Sequence, residues 1–112
     1  METNSQYLKA LIIQHMPIKR ENAIKVKEVA DRIGINPRIV RQLVQELRLE
    51  GYPICSTTYD GYWLTKNLSD IQDTIIKLQR QYKTLGDTID ALTNTYCKIE
   101  EESYEPRKVR NL

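Results

Sequence analysis

The chain is poor in the residues that most often carry chemistry. It holds one histidine and two cysteines in 112 residues, and Cys55 and Cys97 stand far apart with no C-x-x-C spacing. A zinc site gathers about four such ligands and a disulfide needs an oxidising compartment, so neither a metal nor a cross-link is expected. No G-x-x-x-x-G-K-S/T or G-x-G-x-x-G loop is present to cradle a phosphate, and no paired catalytic constellation appears. His15, alone near the end of the first helical pattern, is read as bonding that helix's carbonyls or solvent rather than as a ligand or base. Neither enzymatic activity nor a cofactor is expected. No apolar run approaches the roughly 20 residues of a membrane span, and the N-terminus lacks the basic head, apolar core and small-residue cleavage site of a signal peptide. A cytoplasmic location is expected, with no membrane partner.

What is there is enough for one modest core: 40% apolar side chains and a net charge of +2. The charge is unevenly spread. Residues 1–66 carry ten Lys/Arg against seven Asp/Glu, residues 67–102 four against seven, and residues 103–112 three against one. A mildly basic N-terminal domain is followed by an acidic stretch and a short basic tail, a polarity that suits a head facing an anion without being a nonspecific nucleic-acid coat.

Tyr7, Leu8, Leu11, Ile12 and His15 recur at helical spacing behind the candidate caps Asn4 and Ser5, and Pro17 ends that first helix. After a polar loop, Ile24-Lys25-Val26 reads as a very short strand. The segment VKEVADRIGINPRIVRQLVQEL (Val26 to Leu47) carries the most information. Val29, Ala30 and Ile33 give a short helix its apolar stripe and Gly34 ends it. Asn36 caps the next helix, with Pro37 at its first position where no N–H is needed. Two helices joined by three residues, with a small Ala30 where they cross, have the helix-turn-helix arrangement. On the second helix Ile39, Val40, Leu43, Val44 and Leu47 point inward, while Arg38, Arg41, Gln42, Gln45 and Arg48 form an acid-free stripe on the other side. Arg matches the guanine edge and Gln the adenine edge in the major groove, so the stripe holds the residue types that read bases. Double-stranded DNA is the expected partner.

The following stretch, EGYPICSTTYDGYWL (Glu50 to Leu64), reads as a hairpin. Gly51 stops the helix, Pro53 opens an edge strand, Thr57 to Asp60 turn, and Gly61 returns the chain as Tyr62-Trp63-Leu64, with Ile54, Tyr62 and Leu64 free to face the core. Helix, helix-turn-helix and then LRLEGYPICSTTYDGYWL together resemble the winged-helix DNA-binding domain of the biotin operon repressor and related small regulators. They also resemble the short winged-helix proteins of phages and mobile elements. The resemblance covers residues 5–66. It implies base contacts from Arg38, Arg41, Gln42 and Gln45, phosphate contact from Lys27, and a wing contact from Thr57, Thr58 and Tyr59. In one respect the chain departs from it: Ser56 to Asp60 offers no Lys or Arg, and Asp60 repels phosphate. The wing either touches DNA weakly or serves a protein partner.

After Lys66 the pattern changes to a heptad seam. Leu68, Ile71, Ile75, Leu78, Tyr82, Leu85, Ile89, Leu92, Tyr96 and Ile99 alternate steps of three and four without a miss, the signature of a coiled coil about 48 Å long at 1.5 Å per residue. Ser69 with Asp70 is read as its start. A homo-oligomer, a dimer first of all, is expected, with these ten residues as its interface. Gln and Thr dominate the flanking positions and leave strand direction open, while Tyr82 and Tyr96 are bulky for a parallel dimer. A continuous helix through Gly86 is expected, a fold-back at Gly86-Asp87 being the alternative. Residues 103–112 read as a disordered basic tail.

The expected fold class is therefore mainly α with a small β-hairpin wing: a winged helix-turn-helix at 1–66 and a coiled-coil helix at 67–102. The expected function is a DNA-binding transcriptional regulator of phage or mobile-element type. The alternative is a phage-encoded adaptor or inhibitor built on the same scaffold.

Overall fold

A computed structural model describes residues 2–57, 59 and 61–103. The expectations placed on Thr58, on Asp60 and on the tail beyond Ser103 lie outside the described residues. Three helices come first. Helix α1 (Glu2–His15) stops before Pro17, where a proline cannot continue the ladder. His15 closes that end, with Nδ1 donating to the Leu11 carbonyl at 2.8 Å. A single 3-10 turn (Arg20–Asn22) leads into strand β1 (Ile24–Lys25). Val26, expected to extend that strand, instead opens helix α2 (Val26–Ile33).

The local signals at the α2 end act as their chemistry dictates. Gly34 takes φ 85°, a left-handed conformation that costs a glycine nothing, and its N–H bonds the Ala30 carbonyl at 2.8 Å. Helix α3 (Pro37–Leu49) starts three residues later, with the Asn36 side-chain oxygen accepting from the Arg38 N–H at 2.8 Å. Gly51, at φ 104°, turns the chain out of α3. Helices α1, α2 and α3 pack on one another around Ile12, Val29, Ala30, Val40, Leu43, Val44 and Leu47, all at most 3% exposed.

Strands β2 (Ile54–Ser56) and β3 (Gly61–Leu64) form the expected hairpin, and β1 adds to it, giving a three-stranded antiparallel sheet in the order β1-β3-β2. The register sets Ile24 opposite Tyr62, Ile54 opposite Leu64 and Cys55 opposite Trp63. Alternation along a strand then divides the residues between two faces. Ile54, Tyr62 and Leu64 turn to the main core as expected, and Cys55 and Trp63, on the other face, are buried just as deeply at 1% and 0%. Gly61 has no positive φ. Glycine suits the position by close approach, since a Cβ would sit tightly against Thr57 Oγ1 at 3.1 Å and Ala23 Cβ at 3.2 Å and the neighbours would have to give way.

The second face of the sheet is covered by the start of helix α4 (Leu68–Ser103). Trp63 Nε1 donates to Asp70 Oδ2 at 3.0 Å, and the Arg20 guanidinium lies 5.4 Å above the indole while bonding Asp73 at 3.0 Å. Edge strand β2 has an amide turned away from its partner strand, and the buried Thr74 hydroxyl satisfies it, accepting from Ser56 N at 3.3 Å. The cap of α4 is Asn67, whose side chain accepts from the Asp70 N–H at 3.0 Å, two residues earlier than the Ser69-Asp70 start expected.

Helix α4 runs unbroken through Gly86, so the fold-back at Gly86-Asp87 is not adopted. Thr88, Thr93 and Thr95 each donate to the carbonyl four residues earlier, which accommodates their hydroxyls within the helix. The chain divides into two compact units, Met1–Lys77 and Leu78–Leu112. The first therefore takes in the opening turns of α4 as well as the sheet and the three N-terminal helices. No helix among the described residues is long and apolar enough to cross a membrane.

Candidate nucleic-acid interface

Helix α3 has two chemically distinct faces because its inward positions are consumed by the core. Val40, Leu43, Val44 and Leu47 are buried, whereas Arg38, Arg41, Gln42 and Gln45 are exposed on the opposite side. The Asn36 cap and Pro37 fix where the helix begins, which sets the direction in which Arg38 and Arg41 leave it. Four residues of the expected stripe thus share one solvent-facing surface of one rigid helix.

The fifth, Arg48, does something else. Its Nε donates to the Ile54 carbonyl at 2.8 Å and one terminal nitrogen to Ser56 Oγ at 3.2 Å, with the guanidinium 6.0 Å from the centre of the Tyr62 ring. The side chain is half-buried, and that burial lowers its pKa below the ordinary guanidinium range. Arg48 ties β2 to α3 and so fixes the hairpin against the helix. A second cation reaches the same hydroxyl: Lys77 Nζ donates to Ser56 Oγ and to the Thr57 carbonyl, each at 2.8 Å.

The acid nearest the stripe is Glu46, which accepts from Gln42 Nε2 at 3.4 Å. Lys9 of α1 offsets it, reaching Glu46 at 3.1 Å and Glu50 at 2.6 Å. Hydrogen bonds from Lys9 first and Gln42 second hold the Glu46 carboxyl below its ordinary 4.5, and donation to Glu50 first and Glu46 second raises the Lys9 ammonium above 10.5. The triad pins α1 to α3 and leaves less uncompensated negative charge beside Gln42.

Lys27 is exposed at the second position of α2. In the hairpin turn, Thr57 Oγ1 accepts from the amides of Tyr59 at 3.2 Å and Gly61 at 3.0 Å, so this hydroxyl organises the turn, while Tyr59 is 79% exposed. The roles of Arg48 and Lys77 were missed by sequence reasoning. A stripe drawn at three- and four-residue steps cannot tell that its last member bends back to a strand. Nothing in the heptad pattern marks Lys77 as a neighbour of the hairpin.

The seam residues of α4 lie along one side of the helix. Ile71 is half-buried, and the other nine are exposed, from 37% at Leu78 to 80% at Leu68. No protein-family model matches the chain, and neither a curated protein nor a solved structure matches it significantly.

Proposed function

We propose that the protein binds duplex DNA through a winged helix-turn-helix formed by its N-terminal unit, with α3 in the major groove, and that it pairs through α4 as a coiled coil. It would act as a transcriptional regulator. The observation that carries this reading is the division of α3: a side where Val40, Leu43, Val44 and Leu47 are buried, and an exposed side made of Arg38, Arg41, Gln42 and Gln45. Arg and Gln are the side chains that make paired hydrogen bonds to base edges, and an α-helix is the element a major groove admits. Lys27 is placed to hold phosphate, which positions the helix without reading sequence. In this reading Arg48 acts indirectly, by setting the hairpin against the recognition helix. Linking two such heads raises the effective concentration of the second at paired sites.

Selection from random duplexes, followed by binding of an Arg38→Glu/Arg41→Glu variant to the recovered sequence, tests the reading. A recovered motif whose binding is lost in the variant supports it. Failure to enrich any sequence, with the variant behaving like the parent, removes it.

One observation favours a second reading, a protein adaptor on the same scaffold. The Thr57 hydroxyl is spent within the turn, and the aromatic Tyr59, two residues on, is largely exposed, a side chain common at protein interfaces. Tyr59→Ala separates the two, since it should abolish capture of a protein partner and leave DNA selection intact.

A further inference from the structure

We propose that two copies of the chain pair antiparallel along α4, with Tyr82 packed against the partner's Leu85 and Tyr96 against the partner's Ile71. The inference rests on the self-association proposed above and adds its direction. Nine seam side chains stand exposed, presenting on the order of 1,000 Å² per chain, against the ~800 Å² per partner of a standard specific interface. The surface is large enough for a second copy of itself.

Direction follows from two features. The first is side-chain volume. A parallel pair stacks each residue on its own copy, which forces Tyr82 onto Tyr82 and Tyr96 onto Tyr96, two layers far wider than their aliphatic neighbours. Reversing one helix sets every first-position residue beside a fourth-position residue. Both tyrosines then meet an aliphatic side chain, and each of the remaining layers places a leucine opposite an isoleucine. The second feature is charge. Glu100, Glu101 and Glu102 close α4, where the helix dipole already disfavours anions. A parallel pair brings both acidic ends together. An antiparallel pair carries each to the start of the partner's helix, with its favourable dipole and the exposed Lys66 just ahead of it. Asp70 and Asp73 at that end are already engaged by Arg20, at 3.7 Å and 3.0 Å. The flanking residues Gln72, Gln79, Gln81, Thr88 and Thr95 are neutral and oppose neither direction.

The native cysteines supply the test. Cys97 is exposed, off the seam and near the end of α4, whereas Cys55 is buried and burial pushes its thiol pKa up. A nitroxide reagent should therefore label the folded full-length chain once, at Cys97, as mass spectrometry would verify. Electron-electron dipolar spectroscopy then reads the distance between labels, and light scattering reads the mass of the same sample. In the antiparallel pair the labels lie about 40 Å apart along the axis, from 1.5 Å per residue, whereas in a parallel pair they sit at one level and within about 25 Å. A dimer with the long distance bears out the proposal. A dimer with the short distance overturns the direction and leaves self-association standing, and a monomer with no dipolar modulation overturns both. Long and short distances together, in a heavier particle, overturn pairing in twos.

Discussion

Replacing Arg48 by alanine separates holding the fold from reading DNA, because this residue lies on the same helix as the proposed contacts yet is bonded inward. Two donated hydrogen bonds disappear, to the Ile54 carbonyl at 2.8 Å and to Ser56 Oγ at 3.2 Å. The serine keeps Lys77 at 2.8 Å, so the Ile54 carbonyl is the group that loses most. A hydrogen bond from a charged donor contributes about 1.5–3 kcal/mol. Contact with the Tyr62 ring adds roughly 0.5–1 kcal/mol, and relief from burying the charge, the cause of the lowered Arg48 pKa, offsets part of the sum. A net loss of about 2 kcal/mol is expected, which for a unit of this size lowers the melting temperature by roughly 8–16 °C. Thermal melts of wild type, Arg48→Ala and Arg41→Ala, run beside binding to selected and random duplexes well below melting, make the comparison. Arg48→Ala should lose stability and keep its ratio of specific to nonspecific binding, and Arg41→Ala should do the reverse. An unchanged melting temperature with lost specific affinity would show that Arg48 leaves the hairpin to contact DNA, and the structural role assigned to it would fall.

Arg41→Ala and Gln42→Ala should each lower affinity for the selected duplex by ~1–3 kcal/mol and barely affect random DNA, while Lys27→Ala should weaken both and reduce the slope of log affinity against log salt by about one. Equal losses on both duplexes from Arg41→Ala would remove it from base reading. The Lys9 contacts should stabilise the fold only while Glu46 is ionised and Lys9 protonated. Because the Glu46 pKa is lowered, that contribution is present above 4.5 and lost as pH falls through the lowered value; because the Lys9 pKa is raised, it is present below 10.5 and lost as pH rises through the raised value. Melting temperatures of wild type and Lys9→Met should accordingly differ at neutral pH and converge well below 4.5, and a gap that persists in acid would assign the effect to packing. Trp63 is the single tryptophan and is fully buried. Ending the chain after Lys66 should uncover it and shift its fluorescence to the red, and ending after Lys77 should not.

The N-terminal helices were legible because their signals are local. Pro37 fixes its own φ, the Asn36 side chain caps the amide two residues on, and Gly34 and Gly51 permit the positive φ at the two helix ends, each where it is needed. The hairpin was legible for a related reason, since alternation places Ile54 and Tyr62 on the core side whatever the surroundings. Cys55 and Trp63 show where that reasoning stops. A strand pattern with apolar residues on both faces says that both are covered, without saying by what. The cover here includes Asp70 and Thr74, polar residues that satisfy an indole N–H and an edge amide by hydrogen bonds rather than by apolar area. Hydrophobic periodicity carries no record of such contacts. The same holds for Arg48, whose partners lie six and eight residues ahead on another element.

Helix geometry explains why the heptad was readable from Leu68 while the extent of the N-terminal unit was not. At 3.6 residues per turn each residue advances about 100° round the helix axis, so Asp70, Thr74 and Lys77 cluster on one face whose centre lies roughly 110° from that of the stripe formed by Leu68, Ile71, Ile75 and Leu78. The polar face meets the hairpin at Trp63, Ser56 and Thr57, and the apolar stripe is left largely exposed, with Ile75 at 48% and Leu78 at 37%. One stretch of helix therefore completes a fold with one face and keeps the other unpartnered. Because the contacts to the hairpin use polar groups, they impose no apolar period of their own and do not disturb the seam. That is why the seam runs unbroken across the boundary at Lys77, and why a substitution such as Leu85→Asp/Ile89→Asp, placed on the seam well beyond that boundary, should dissociate paired chains while Trp63 remains buried and its fluorescence unshifted.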